Sequence, residues 1–145
     1  MAEATRSIEV NCSAEHFYKV ITDFERHKDF VSGLLDVKVL SHEGETWRVK
    51  YRIKMIKEIE YELEQKGEPF KAVRWKLIKG QFMKVNEGSW VIEEIGPEKI
   101  KATYSITLKL SSLVPSSITT QLAQIGLPKM LQEFKEYAEK TFKEG

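Results

Sequence analysis

The sequence has a single cysteine, four prolines and almost no net charge. With one thiol, Cys12, no intrachain disulfide can form, so a secreted disulfide framework is excluded. Lys+Arg number 23 and Asp+Glu 22, a formal charge of +1, which argues against nucleic-acid binding by charge alone, and no DNA partner is expected. No apolar run approaches the roughly 20 residues of a membrane-crossing helix, so no integral membrane span is expected. No cationic start leads into an apolar stretch, and a cytoplasmic location is the simplest expectation. Phosphate-binding loops, nucleophile elbows and cysteine–histidine clusters are also missing, so no cofactor and no metal site are read. His16, His27 and His42 all fall in the first third, without the spacing of metal ligands on a helix face. His16 and His27 are expected at the surface, and Cys12 as a small buried residue.

What the chain does contain is alternation. Its 145 residues, 41% of them hydrophobic, suffice for one domain, 1–145, with its own core. In TRSIEVN (5–11), Ile8 and Val10 share one face, which predicts a short strand. Ser13 is placed to cap a helix carrying Phe17, Val20, Ile21 and Phe24, and a second short helix is expected from Asp23 to Phe30. From Asp36 onward the period is two. Val37 and Val39 lead to the turn signal SHEGE. In WRVKYRIKM, Trp47, Val49, Tyr51, Ile53 and Met55 face one way and Arg48, Lys50, Arg52 and Lys54 the other. EIEYELE repeats the pattern with Ile59, Tyr61 and Leu63 inward and Glu58, Glu60, Glu62 and Glu64 outward. The two segments read as a hairpin whose outer face sets a basic ladder beside an acidic one, and opposite charges across strands help fix the register.

Gly67 and Pro69 are read as the next break. The stretch VRWKLIKGQFMKVNEGSW (73–90) interleaves aromatic and basic residues, as a surface that stacks on bases would. The period of two separates them: Val73, Trp75 and Leu77 face inward, Arg74 and Lys76 outward. Alternation fails from Gln81 to Glu87, which predicts a bulged or looped crossing. WVIEEI and KATYSITLKL then form the last two strands, the final one with Ala102, Tyr104, Ile106, Leu108 and Leu110 on its apolar face. Glu93 and Glu94 straddle both faces, so one of them is the sole candidate for a buried catalytic carboxylate. After Pro115 the period becomes helical. Ile118, Leu122, Ile125, Met130, Phe134, Tyr137, Ala138 and Phe142 form one stripe along a predicted helix of about 28 residues, interrupted at Gly126-Leu127-Pro128. The expected fold class is α+β: a curved seven-stranded antiparallel sheet wrapped around a long C-terminal helix, with two short helices between the first two strands.

Three stretches carry a family resemblance. IEVNCSAEHFYKVITDFERHKDFV, the residues Gly80, Phe82, Gly88 and Trp90, and LVPSSI leading into the last helix resemble the START-like superfamily (SRPBCC, helix-grip, birch-pollen-allergen-like). The branch most similar is that of polyketide cyclases/dehydrases, with the coenzyme Q-binding proteins and the ribosome association toxin. Gln81 stands where many relatives carry proline, and His27-Lys28 where a Tyr-Pro pair is usual. The resemblance implies a helix-grip fold with a cavity between sheet and C-terminal helix.

The inward-facing residues independently suit a ligand pocket, although by pattern alone they could equally fill a dry core. The candidate ligand-binding set is Tyr51, Ile53, Met55, Tyr61, Trp75, Leu77, Phe82, Met83, Trp90, Tyr104, Ile106, Leu122, Ile125, Met130 and Phe134, with Phe82 and Met83 at the rim. Three readings follow. The first is a binder of a hydrophobic small molecule such as a lipid, isoprenoid quinone or polyketide. The second is a protein-interaction module that associates with the ribosome, motivated by the basic ladder at 48–54. The third is a polyketide cyclase or dehydratase, which needs an acid or base in the cavity.

Overall fold

A computed structural model describes residues 2–54, 57–121 and 126–144. Strand β1 (Ala2–Val10) is followed by helix α1 (Ala14–Thr22) and a 3-10 helix (Phe24–Asp29). Six strands then run without interruption: β2 (Leu34–Glu43), β3 (Thr46–Lys54), β4 (Glu58–Glu68), β5 (Ala72–Gly80), β6 (Met83–Gly96) and β7 (Lys99–Leu110). Helices α2 (Ser116–Gln121) and α3 (Leu127–Glu144) close the chain. All pairings are antiparallel, in the order β1-β7-β6-β5-β4-β3-β2. The polar face of each strand looks out and the apolar face lines the concave side.

Local chemistry explains the elements. Ser13 caps α1, its hydroxyl accepting from the His16 amide at 3.1 Å, and α1 buries Phe17, Val20 and Ile21. Asp23 starts the 3-10 helix but makes no side-chain cap; its carboxylate pairs instead with Arg26 at 3.3 Å. The β3–β4 register places Lys50 opposite Glu62 and Arg52 opposite Glu60, as the alternation requires. The ion pairs run diagonally: Arg48 to Glu62, Lys50 to Glu60 at 3.2 Å and Arg52 to Glu58 at 3.8 Å. Glu62 faces outward yet is only 8% exposed, because Arg48 and Lys79 cover it from both sides. That corrects the expectation of four solvated glutamates.

Gly67 is no break. It lies inside β4, where a Cβ would collide with the Tyr18 hydroxyl. Only glycine admits that ring, whose hydroxyl donates to Glu45 Oε1 at 2.5 Å. Strand β6 starts earlier than expected, at Met83, after a two-residue connection in which Phe82 has φ +54. The anticipated bulge is there, between Met83 and Val85. β5 and β6 pair only from Ala72–Val91 to Trp75–Gly88 and then diverge.

The C-terminal stripe is carried by two helical segments. α3 buries Leu127, Leu131, Phe134 and Ala138, while α2 buries no residue. Pro128 occupies the first turn of α3, where its missing amide proton costs nothing. Polar ties fix α3 on the sheet edge: Glu139 accepts from the Asn11 amide at 2.8 Å, and Lys135 Nζ donates to the Glu9 carbonyl at 2.7 Å.

Candidate functional site: a cavity between sheet and helix

Inward residues of adjacent strands do not all meet those of the helices. Between the concave sheet and α3 a cavity of about 300 Å³ remains. Tyr51 and Tyr61 are direct cross-strand partners on β3 and β4, and their rings stack at 5.1 Å. Tyr104, on β7, packs between Trp75 at 5.2 Å and Trp90 at 4.9 Å. Trp90 meets Phe134 of α3 at 5.3 Å, which closes the wall. Gly88 permits this: a Cβ there would stand 2.7 Å from Trp75 Cζ2 and would collide with the Ser105 carbonyl oxygen.

The polar groups of the cavity are few and uncharged. Tyr51 Oη accepts from Gln65 Nε2 at 2.8 Å, so its own proton is left for another acceptor. Trp75 Nε1 donates to Asn86 Oδ1 at 3.0 Å. The Tyr61 and Tyr104 hydroxyls have no hydrogen-bond partner among the described residues. Burial raises the pKa of all three tyrosines, and Tyr51 and Tyr104 are raised further by their tyrosine neighbours. The hydroxyls therefore stay protonated and act as donors. Burial also pushes His27 down to about 4, against the opposing effect of its contact with the Val20 carbonyl. At neutral pH its imidazole is uncharged and donates from Nε2 to that carbonyl at 2.8 Å. Charge appears only at the opening, where Lys54 and Glu3 line the cavity beside Ser32 and Gly33.

Among the residues predicted from sequence, Tyr51, Ile53, Tyr61, Trp75, Met83, Trp90, Tyr104, Ile106, Met130 and Phe134 line the cavity. Leu77 and Phe82 do not; both pack against a smaller cluster of Ile59, Met83, Leu108 and Leu110, and Leu77 also touches the main core. Lys57 Nζ covers the Phe82 ring at 3.9 Å. Met55, Leu122 and Ile125 lie outside the described residues. Glu93 and Glu94 are both exposed: Glu93 lies on the outer face of β6, opposite to Trp90 and Ile92, and Glu94 sits at the strand's irregular end. The carboxylate candidate for catalysis is thereby removed.

His27, expected at the surface, is buried and ringed by Phe24, Phe30 and Phe134. His16 is half-buried, bonded to Thr141 Oγ1 at 2.8 Å. Cys12 is fully buried, as expected; burial, with Glu139 beside it, pushes its thiol up to about 11. Three polar wall residues escape the sequence reading. Gln65 follows from extending the alternation of Ile59, Tyr61 and Leu63 by one more step. Asn86 follows from counting back from Trp90 through Gly88. His27 follows from the three-residue period of a 3-10 helix, which aligns Phe24, His27 and Phe30. Among the described residues no cluster of His, Cys, Asp or Glu could hold a metal ion.

The fold has close relatives among solved structures. TTHA0849 from Thermus thermophilus superposes with a TM-score of 0.85 at 19% identity, covering 97% of this chain and 99% of that one. A START superfamily protein from Mycobacterium smegmatis gives 0.83 at 15% identity, over 96% and 98%. The Zhui aromatase/cyclase from Streptomyces sp. R1128 gives 0.82 at 12%, over 96% and 94%. No curated protein matches the sequence. The family model described as polyketide cyclase/dehydrase and lipid transport matches residues 10–135. With that match over most of its length and a START-like helix-grip fold, the chain belongs to the polyketide cyclase/dehydrase and lipid transport family.

Proposed function

We propose that the protein binds an uncharged, largely apolar small molecule in the cavity between the sheet and α3. The observation that carries this reading is the wall itself. Aromatic and aliphatic side chains enclose about 300 Å³, and the polar groups inside are neutral donors and amides. A pocket of that size and lining suits a compact ligand. Tyr61 and Tyr104 offer hydroxyl protons without acceptors among the described residues, so a ligand with a carbonyl or ether oxygen satisfies them. A carboxylate buried deeper than Lys54 at the opening would find no cation beside it and would bear a large desolvation cost. Lipid, quinone and polyketide chemistries all meet the first requirement, and among them those that carry a neutral oxygen meet the second.

The other two readings have less support. The basic ladder that pointed to the ribosome is ion-paired: Arg48, Lys50 and Arg52 each hold a glutamate of β4. A cyclase needs a base near the substrate, and the wall offers protonated tyrosines and a histidine already bonded to the backbone.

Calorimetric titration with benzophenone and with diphenylmethane, which has the same two rings without the carbonyl, tests the proposal. Both bind the wild-type protein, the ketone more tightly, and Ile106→Trp, which fills the cavity, binds neither. Tyr61→Phe with Tyr104→Phe removes the preference for the ketone, worth about 1 kcal/mol for each hydrogen bond. The absence of binding for both compounds, with a crystal structure showing the interior filled by side chains, overturns the reading.

A further inference from the structure

The antiparallel meander sorts its connections between two ends. The β3–β4 and β5–β6 connections and residues 111–115 fall at the end where the cavity opens, beside Ser32 and Gly33. The turns at 44–45, 69–71 and 97–98 fall at the other. Charge is sorted with them. Lys54, Lys57, Lys84 and Lys109 are exposed at the open end, and none forms an ion pair among the described residues. Of the carboxylates near this end that form no ion pair, Glu133 is held by the Ser32 amide and hydroxyl, and Glu3 and Glu87 flank Thr107, two positions further from the tip than Lys109. The far end instead carries Glu43, Glu45, Glu68, Glu94 and Glu98. Cations are interspersed there: Lys71 sits in a turn, Lys99 is paired with Glu9 at 3.0 Å, and Lys101, Lys140 and Lys143 are exposed.

The open end also carries the most exposed large apolar side chain among the described residues. Leu113 is 79% exposed. It is held there by a turn in which its amide donates to Ser111 Oγ at 3.2 Å, and the Ser111 amide donates to the Phe82 carbonyl at 2.8 Å. Beside it, Val114 and Phe82 pack on the Met83–Leu110 cluster, and Lys57 lies over the Phe82 ring. An apolar tip at an end that also carries unpaired lysines is the pattern of a protein that rests on a charged lipid interface, since lysine stems can lie along apolar surface while their heads reach outward.

We propose that the open end docks on an anionic lipid bilayer, with Leu113 entering the interfacial region and Lys54, Lys57, Lys84 and Lys109 facing headgroup phosphates. Docking in this pose turns the mouth of the cavity toward the membrane, where apolar molecules are dissolved. That last point rests on the function proposed above; the distribution of charge and the exposure of Leu113 do not. An acidic protein surface would satisfy the lysines equally but has no need of a protruding leucine.

Co-sedimentation with vesicles of phosphatidylcholine alone, and of phosphatidylcholine with phosphatidylglycerol, tests the proposal. The protein binds the anionic vesicles at low salt, more weakly at high salt, and the neutral vesicles poorly. Each lysine near such a surface is worth about fivefold in affinity, so the Lys57→Glu, Lys84→Glu double variant loses about 25-fold or more. Leu113→Asp loses about tenfold, the loss of part of a buried leucine's transfer energy. Phe70→Asp, an exposed apolar residue at the acidic end, binds as the wild type does. Failure to bind anionic vesicles at low salt overturns the proposal. So does retention of full binding by Leu113→Asp while the lysine variant fails, which marks an acidic macromolecule as the partner. So does equal weakening by Phe70→Asp. Benzophenone titration without vesicles is unaffected by all of these variants, so cavity binding and docking stand or fall separately.

Discussion

The two halves of the curved sheet are built from the same alternating strands and end differently. In the half away from the opening, Val10, Cys12, Phe17, Val49 and Ile100 are essentially without solvent contact. There α1 and the 3-10 helix fill the concave face, Phe17 meeting Trp90 edge-on at 5.3 Å and Phe24 meeting Trp47 at 5.4 Å. In the other half no α1 is available. α2 buries nothing, α3 begins only at Leu127, and Ile53, Tyr61, Tyr104, Ile106 and Met130 are left half-buried around open space. The pattern of apolar residues on strands is the same in both halves. The helix that covers them decides whether the result is a core or a cavity, since an apolar face by itself only asks to be covered.

Mutations should separate the halves. Phe17→Ala, in the packed half, removes a fully enclosed ring and leaves a void, which costs about 3–5 kcal/mol. Met130→Ala, facing space that already exists, loses transfer energy with little new void and costs about 1–2 kcal/mol. Urea unfolding measures both, and equal losses would mean the cavity half is as well packed as the other.

His27 lies where the halves meet, and its titration reports on the seal. Its folded pKa of about 4 lies below the ordinary value of 6.5. Between those values the unfolded chain takes up a proton that the folded chain refuses. The stability is therefore full above about pH 6.5 and falls as the pH drops toward 4, by up to roughly 3 kcal/mol. His16, also lowered chiefly by burial, acts in the same direction. His27→Gln should flatten most of this slope in unfolding curves taken across that range; an unchanged slope would place the imidazole in contact with water.

Smaller effects sharpen the contrast. Gly67→Ala forces the Tyr18 ring away from β4 and its bond to Glu45, at about 1–3 kcal/mol, and thermal unfolding detects the loss. Lys50→Ala removes an exposed pair with Glu60 and shifts the urea midpoint by less than about 0.5 kcal/mol equivalent.

Much of this is legible in the sequence. The period of two yields the inward faces of β3, β4 and β7 residue by residue, because a one-residue slip would bury lysines or glutamates. What it misses lies where a second rule overrides alternation. The bulge after Met83 shifts the phase of β6, so Asn86 turns inward; Glu93 then points outward, and Glu94, in phase with Trp90 and Ile92, is exposed beside the irregular end of the strand. Glu62 obeys the alternation and is still buried, since long cations on neighbouring strands cover it. Gly67 reads as punctuation but answers to Tyr18, a residue far away in the chain, and no local pattern contains that contact. Leu127 and Leu131 are absent from the predicted stripe, yet they share the buried face of α3 with Phe134 and Ala138 at i, i+4, i+7 and i+11. Whether the inward set meets or leaves a cavity depends on the placement of α3, which periodicity along the chain does not encode.

The three indoles give the most direct test. Trp75 and Trp90 line the cavity, and Trp47 lies in the packed half against Phe24. Amide–proton correlation spectra of the ¹⁵N-labelled protein resolve their side-chain N–H signals. On titration with benzophenone, the signals of Trp75 and Trp90 should move with a common saturation curve while that of Trp47 stays in place. Three unmoved signals, or a shift confined to Trp47, would contradict the account.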